Sequence, residues 1–219
     1  MPRLLFTKTG DAVWISHLDL MRLFQRAFKR AGLALTHTQG YNPRPSVSIA
    51  LPLSVGMESV CELLDFDLEG ECPPYEEITS RLNEALIPGV QVLQAYGEGG
   101  KIKDLSLLSC QITMEYDAGV PDCAQPAISE LFQRDSLMVE KKGKNGIVQQ
   151  DIIPMIRRLE LSQPDEHALQ IEALICCQNP TLNPAQIVSA INSNFPQYAP
   201  NFTIYRRMEI YTAQEKQFR

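Results

Sequence analysis

Two short stretches near the start of this 219-residue sequence concentrate side chains that can do chemistry. The first is Ser16-His17-Leu18-Asp19-Leu20-Met21-Arg22, which holds an imidazole, a carboxylate and a guanidinium close together. At the start of a helix, His17 can serve as an acid or base, or meet a phosphate beside free backbone N–H groups. It can equally pack as a polar residue against a loop carbonyl. Arg22 can clamp a phosphate or carboxylate through two parallel hydrogen bonds, or form a weak pair with Asp19 three residues back. The second stretch is Gln39-Gly40-Tyr41-Asn42-Pro43-Arg44-Pro45. Two prolines and a glycine constrain its shape, and Gln39, Asn42 and Arg44 offer polar ends suited to anion or base recognition. The plainer role is a shaped connection whose polar groups satisfy its own backbone. Tyr41 is either a platform for an unpaired base or a cover that seals the loop against the core. His17, Arg22, Gln39, Tyr41, Asn42 and Arg44 are therefore the candidate anion- or substrate-binding residues, and His17 is the candidate for catalysis. His37 lies beside the loop, and the sequence does not place it relative to His17.

Other chemistries have less footing. No G-x-G-x-x-G, Walker loop, H-E-x-x-H or G-x-S-x-G occurs, so no cofactor is expected. The six cysteines, Cys61, Cys72, Cys110, Cys123, Cys176 and Cys177, form no C-x-x-C pair. That spacing argues against a closed zinc site and a disulfide scaffold, so no metal is expected, and most of the six should be buried as small hydrophobes. Glu58 and Glu62 are expected on a solvated strand edge, with a paired carboxylate as the sharper alternative.

The elements that must position these residues follow from periodicity. Residues 3–8 alternate as a strand. Ser16 with Asp19 three residues on has the spacing of a capping box. Leu20, Phe24, Ala27, Phe28 and Ala31 then mark one helix face, Arg22, Arg26, Lys29 and Arg30 fall mostly on others, and Gly32 is a helix stop. Residues 33–38 are β-like, 46–51 and 60–68 strands, 75–86 a helix behind Pro73-Pro74, and 90–96 a strand. Strand, helix, strand, strand, helix, strand is the split βαβ order. Gly97-Glu98-Gly99-Gly100-Lys101 is a linker. Beyond it, strands over 107–116, 137–142, 146–161, 168–177 and 202–213, with helices over 126–132 and 184–195, loosely repeat the order, and Gly143-Lys144-Asn145-Gly146 makes a hairpin turn. The expectation is an α+β protein of tandem ferredoxin-like (split βαβ) domains, residues 1–100 and 101–219, with a frayed polar tail from Gln214.

Composition bounds the class. The chain is 44% hydrophobic and 21% charged, which suffices to bury a core. No uncharged apolar run reaches the ~18 residues of a spanning helix, and the N-terminus is charged too early for a signal peptide, so a cytoplasmic protein without a membrane role is expected. The net charge of -6 is uneven. Residues 1–45 carry seven Lys/Arg against two acids, and residues 46–100 one against ten. The basic opening either makes a local anion site or faces its acidic neighbour in the fold.

The two motif stretches, with Trp14-Ile15 ahead of the first and Leu51-Pro52-Leu53 and Gly56-Met57-Glu58 after the second, resemble the radical-SAM-linked proteins, a family of uncharacterised function. The similarity is strongest over residues 4–68 and weaker to about residue 213. Family members are encoded beside, or fused after, a cobalamin-binding-type radical SAM protein. The resemblance implies an accessory protein that binds a radical SAM partner or that partner's substrate. The chain lacks the three closely spaced cysteines that hold such an enzyme's cluster, so that chemistry would belong to the partner. The order of elements is also similar to RNA-processing proteins of CRISPR systems, an analogy of fold alone. It leaves open an RNA-binding or RNA-processing protein that uses the basic helix and the 39–45 loop, and the residues do not decide whether the chain is itself an enzyme.

Overall fold

The computed structural model describes residues 1–97, 99–143 and 146–219. The α+β chain carries four α-helices among the described residues. The chain divides into two compact units, Met1–Asp104 with Phe218–Arg219, and Leu105–Gln217.

In the first unit, β1 (Arg3–Lys8), α1 (His17–Arg30), β2 (Val47–Ile49), β3 (Met57–Phe66), α2 (Tyr75–Ala85) and β4 (Val90–Tyr96) follow one another. The strand order is β4-β1-β3, with β2 against β3, and every one of these pairings is antiparallel. Alternation aims Leu4 and Phe6 of β1 and Leu64 and Phe66 of β3 at the helices, where they meet Leu20, Phe24, Ala27 and Phe28 of α1 and Ile78 and Leu82 of α2. Phe6 and Phe24 pack edge to face, 4.7 Å between centroids. Full burial of each such side chain stabilises by about 1.5–3 kcal/mol.

Local chemistry sets the ends of α1. Ser16 is its N-cap, and its hydroxyl accepts from the Asp19 N–H at 3.2 Å. The expected capping box is one-armed: the Asp19 carboxylate accepts from the Ser16 hydroxyl at 2.7 Å and does not reach back to the cap N–H. At the other end Gly32, at φ +68°, permits the left-handed turn. Its N–H donates to Lys29 O and the Leu33 N–H to Phe28 O, the two bonds of a Schellman stop. Arg30 donates to the Ala85 carbonyl and ties α1 to the end of α2.

The chain over 33–38 departs from the expected β-like stretch, whereas the strand expected over 46–51 is present in part as β2. Residues 33–38 form no continuous ladder but isolated bridges, Leu35 with Leu68 and His37 with Pro45. Thr38 N–H donates to Arg44 O, Arg44 N–H to the Thr38 hydroxyl, and Ser46 N–H to Thr36 O. The expected loop is thus the tip of a narrow hairpin whose prolines limit pairing to its base.

The second unit runs β5 (Leu105–Glu115), α3 (Ala124–Leu131), β6 (Met138–Gly143), β7 (Gly146–Asp151), β8 (Ile156–Asp165), β9 (Ala168–Cys176), α4 (Pro184–Asn194) and β10 (Phe202–Thr212). Its strand order is β10-β5-β9-β8, all antiparallel, with β6 and β7 as a separate hairpin. The continuous stretch expected over 146–161 is two strands, split by a 3-10 turn at Ile153–Met155 that carries Pro154. The turn expected at 143–146 falls, at Lys144 and Asn145, outside the described residues.

Two further sequence expectations fail. The tail is not frayed: Phe218 is 2% exposed and lies over the Arg3 guanidinium, 5.4 Å from ring centroid to carbon. Glu62 is not on a solvated edge but 1% exposed, because alternation along β3 puts it on the helix-facing side with Leu64 and Phe66. Among the described residues, no helix is long and apolar enough to cross a membrane.

Candidate functional site

His17 opens α1, and Arg22 projects from its second turn; Met21 and Gln25 continue the face that begins at His17 and Leu18. This face flanks the buried Leu20, Phe24, Ala27 and Phe28 stripe, and Met21 packs against the same core. The 36–48 segment comes alongside it. Between them lies a groove of about 840 Å³ lined by His17, Leu18, Met21, Arg22 and Gln25 from the helix and by Thr38, Arg44, Pro45, Ser46, Val47 and Ser48 from the segment, with Met1 at its margin. Three of the six candidate residues, His17, Arg22 and Arg44, therefore meet in one groove although they come from separate motifs.

The other three do not line it. Gln39, Tyr41 and Asn42 are exposed at the hairpin tip, and Tyr41 is 100% exposed, so it does not seal the loop against the core. His37 sits apart from His17, in an adjoining recess, with its Nδ1 3.9 Å from a Glu69 oxygen.

Arg22 is oriented by a neighbour. Its guanidinium donates to Asp19 at 3.0 Å, and both side chains stay solvent-accessible. The Ser16 hydroxyl first, and then Arg22, hold the Asp19 carboxyl below its ordinary value of 3.8, so it stays ionised across the physiological range. The groove thus combines two guanidinium groups, hydroxyls from Thr38, Ser46 and Ser48, and an apolar lining from Leu18, Met21, Pro45 and Val47. Such a surface can hold an anion at its cationic rim and a planar or apolar body on its floor.

Sequence reasoning missed Met21, Gln25, Thr38, Ser46 and Ser48 as groove residues. The helix members were findable, since His17, Met21 and Gln25 recur every four residues along the flank of the core stripe. The hydroxyls had no periodic signal, because only the hairpin's approach to α1 brings them in. Among the described residues no group of three or more His, Cys, Asp or Glu could hold a metal ion. Burial pushes the thiols of Cys110 and Cys177 up to about 12, which makes them poor nucleophiles.

A family model described as "Uncharacterized protein conserved in bacteria (DUF2344)" matches residues 2–195. The chain belongs to this family. The matched span holds both motif stretches and the whole groove except Met1. No curated protein sequence matches the chain. Among solved structures, the chain is similar to one in the crystal structure of a Cbf5-Nop10-Gar1 complex, at 7% identity and a TM-score of 0.53, over 95% of this chain and 48% of that one. This chain thus spans about half of that neighbour's length, and at that identity the likeness is one of α+β fold alone. A protein of unknown function from Galdieria sulphuraria aligns over 94% of this chain and 96% of its own at 10% identity, with a TM-score of 0.27, too low to bear on the fold.

Proposed function

We propose that this member of the family is a binding module whose groove takes the phosphates of RNA, and that it acts as an accessory to a radical SAM partner by holding that partner's RNA substrate. The observation that carries the reading is the convergence of His17, Arg22 and Arg44 on one groove with three hydroxyl-bearing side chains. Guanidinium groups beside hydroxyls suit phosphate oxygens and ribose. The acidic total, with pI near 5.2, opposes indiscriminate binding to polyanions and favours recognition confined to this site. The partner is implied by the family resemblance of the two motifs, and the ligand class by the groove.

We also infer that each unit is a ferredoxin-like split βαβ. What supports this is that β4-β1-β3-β2 in the first unit and β10-β5-β9-β8 in the second follow the same 4-1-3-2 order, with β6 and β7 inserted in the second.

The test is titration of purified protein into fluorescent cellular RNA at low and moderate salt. Binding should weaken with salt by a log–log slope of about -0.7 for each phosphate neutralised. The Arg22→Ala, Arg44→Ala double variant should lose roughly tenfold or more in affinity. No binding at either salt would overturn the reading.

A second reading, docking of a protein partner, has its own observation. Trp14 is 68% exposed, Leu18 66% and Met1 65%, and the last two line the groove. Large exposed side chains of this kind mark contact surfaces. Retention of a radical SAM protein by the wild type but not by a Trp14→Ser, Leu18→Ser variant would favour it, and equal retention by both would remove it.

A further inference from the structure

The groove does not end at Gln25. A second recess of about 480 Å³ continues along α1, lined by Gln25, Lys29, Leu33, Leu35, His37 and Pro45, among others. Gln25 and Pro45 line both cavities, so the two form one trough between α1 and the hairpin. His17, Met21, Gln25 and Lys29 recur every four residues along the helical wall. At 1.5 Å per residue that wall is about 18 Å long. Cationic groups stand at intervals beside it: Arg22 and Arg44 at the first cavity and Lys29 at the second. Glu69 also lines the second recess, 3.9 Å from His37 Nδ1.

We infer that the trough takes a short single strand of RNA, about three to five nucleotides laid along α1, with a base beyond the Arg44 end stacked on Tyr41. This rests on the RNA reading of the first groove and extends it. A stacked strand rises about 3.4 Å per nucleotide, so 18 Å of wall accommodates such a run, fewer nucleotides if extended. The cross-section selects a single strand. Its floor carries Met21, Leu33, Leu35, Pro45 and Val47, apolar groups that meet the faces of unpaired bases, while a duplex turns phosphates outward and hides those faces. Tyr41 supplies the remaining feature. It is wholly exposed on a hairpin tip held by the two Thr38–Arg44 hydrogen bonds, so its ring is presented by a braced support and covers nothing of its own chain.

The test uses full-length protein and four labelled probes in a fluorescence anisotropy titration: uridine monophosphate, oligouridylates of two and five nucleotides, and a blunt RNA hairpin. Variants are Lys29→Ala, which touches only the second recess, Tyr41→Ala, and the Arg22→Ala, Arg44→Ala pair. All substituted side chains are exposed, and thermal melts establish that each variant is folded. Affinity should rise at least tenfold from the dinucleotide to the pentanucleotide, with the hairpin at least tenfold weaker than the pentanucleotide. Lys29→Ala should weaken the pentanucleotide several-fold and reduce its salt slope by about 0.7 while leaving the dinucleotide unchanged. Tyr41→Ala should weaken the pentanucleotide about tenfold with its salt slope unchanged. If Arg22 and Arg44 govern binding but length, Lys29 and Tyr41 do not, the extended-strand inference falls and the groove reading stands. Hairpin binding equal to that of the pentanucleotide also overturns the inference. If none of the probes binds, both fall.

Discussion

Lys8 is 1% exposed, an unusual place for an ammonium group. Its Nζ donates to the Val13 carbonyl at 3.0 Å and so pins the 3-10 turn Gly10–Trp14 that leads into α1. Burial pushes its pKa below the ordinary 10.5, and the Glu62 carboxylate opposes that shift. The folded Lys8 therefore releases its proton at a lower pH than the unfolded one. Between the two values the unfolded chain binds more protons, so this group's contribution to stability rises with pH up to about 10.5. Lys8→Met should abolish that rise in denaturant titrations carried up to pH 10.5 and cost about 1–2 kcal/mol, because Val13 O loses its donor. The cysteines divide by the same rule of burial. Cys72 and Cys123 are exposed, and Cys61, Cys110, Cys176 and Cys177 are buried. A thiol reagent added to native protein should label two sites quickly and the other four only after denaturant, as mass spectrometry would count.

Helix α1 and its cap respond to pH together. The interactions that hold Asp19 below 3.8 are fully present above that value and lost as pH falls through the lower folded value, so acid should loosen the N-terminus of α1 only below about pH 4. Ser16→Ala should cost about 1 kcal/mol by removing the acceptor for the Asp19 N–H, read as a shift in the denaturation midpoint. In the second unit, β8 and β9 place Glu160 directly opposite Glu172. Like charges across a strand pair destabilise. Glu160→Lys should raise stability by about 0.5 kcal/mol in low salt, and salt should erase most of that gain. That opposition could not be read from the sequence, since register depends on where two distant strands are brought together.

For the chain as a whole, the tail matters more than its composition suggests. Phe218 and Arg219 belong to the first unit. Arg3 is held by Asp65 through Nε at 2.5 Å and Nη2 at 3.1 Å, and Phe218 stacks on that fixed guanidinium. The Gly100 N–H donates to the Arg219 carbonyl. A Cβ at Gly99 would collide with Arg3 Nη1, and one at Gly100 would stand 2.8 Å from the Phe218 ring. Gly99 and Gly100, part of the stretch read as a linker, are required for this close approach. Phe218→Ala should cost about 3 kcal/mol, in the range for an emptied aromatic site, and Gly99→Ala should lower the melting temperature as well. Unchanged melting in both would show that the tail contributes nothing to the first unit.

Periodicity and punctuation, which act over a few neighbouring residues, sufficed to locate β1 and β4 to the residue and to bracket α1 between Ser16 and Gly32. They also singled out His17, Arg22 and Arg44, because charged and proline-braced groups on turns stand out locally. They did not reveal that His17, Arg22 and Arg44 share a groove, that Glu62 is buried, or that Phe218 returns to Arg3. Each of these depends on contacts between residues far apart in the chain, and such contacts arise only when burial of the common core brings those segments together.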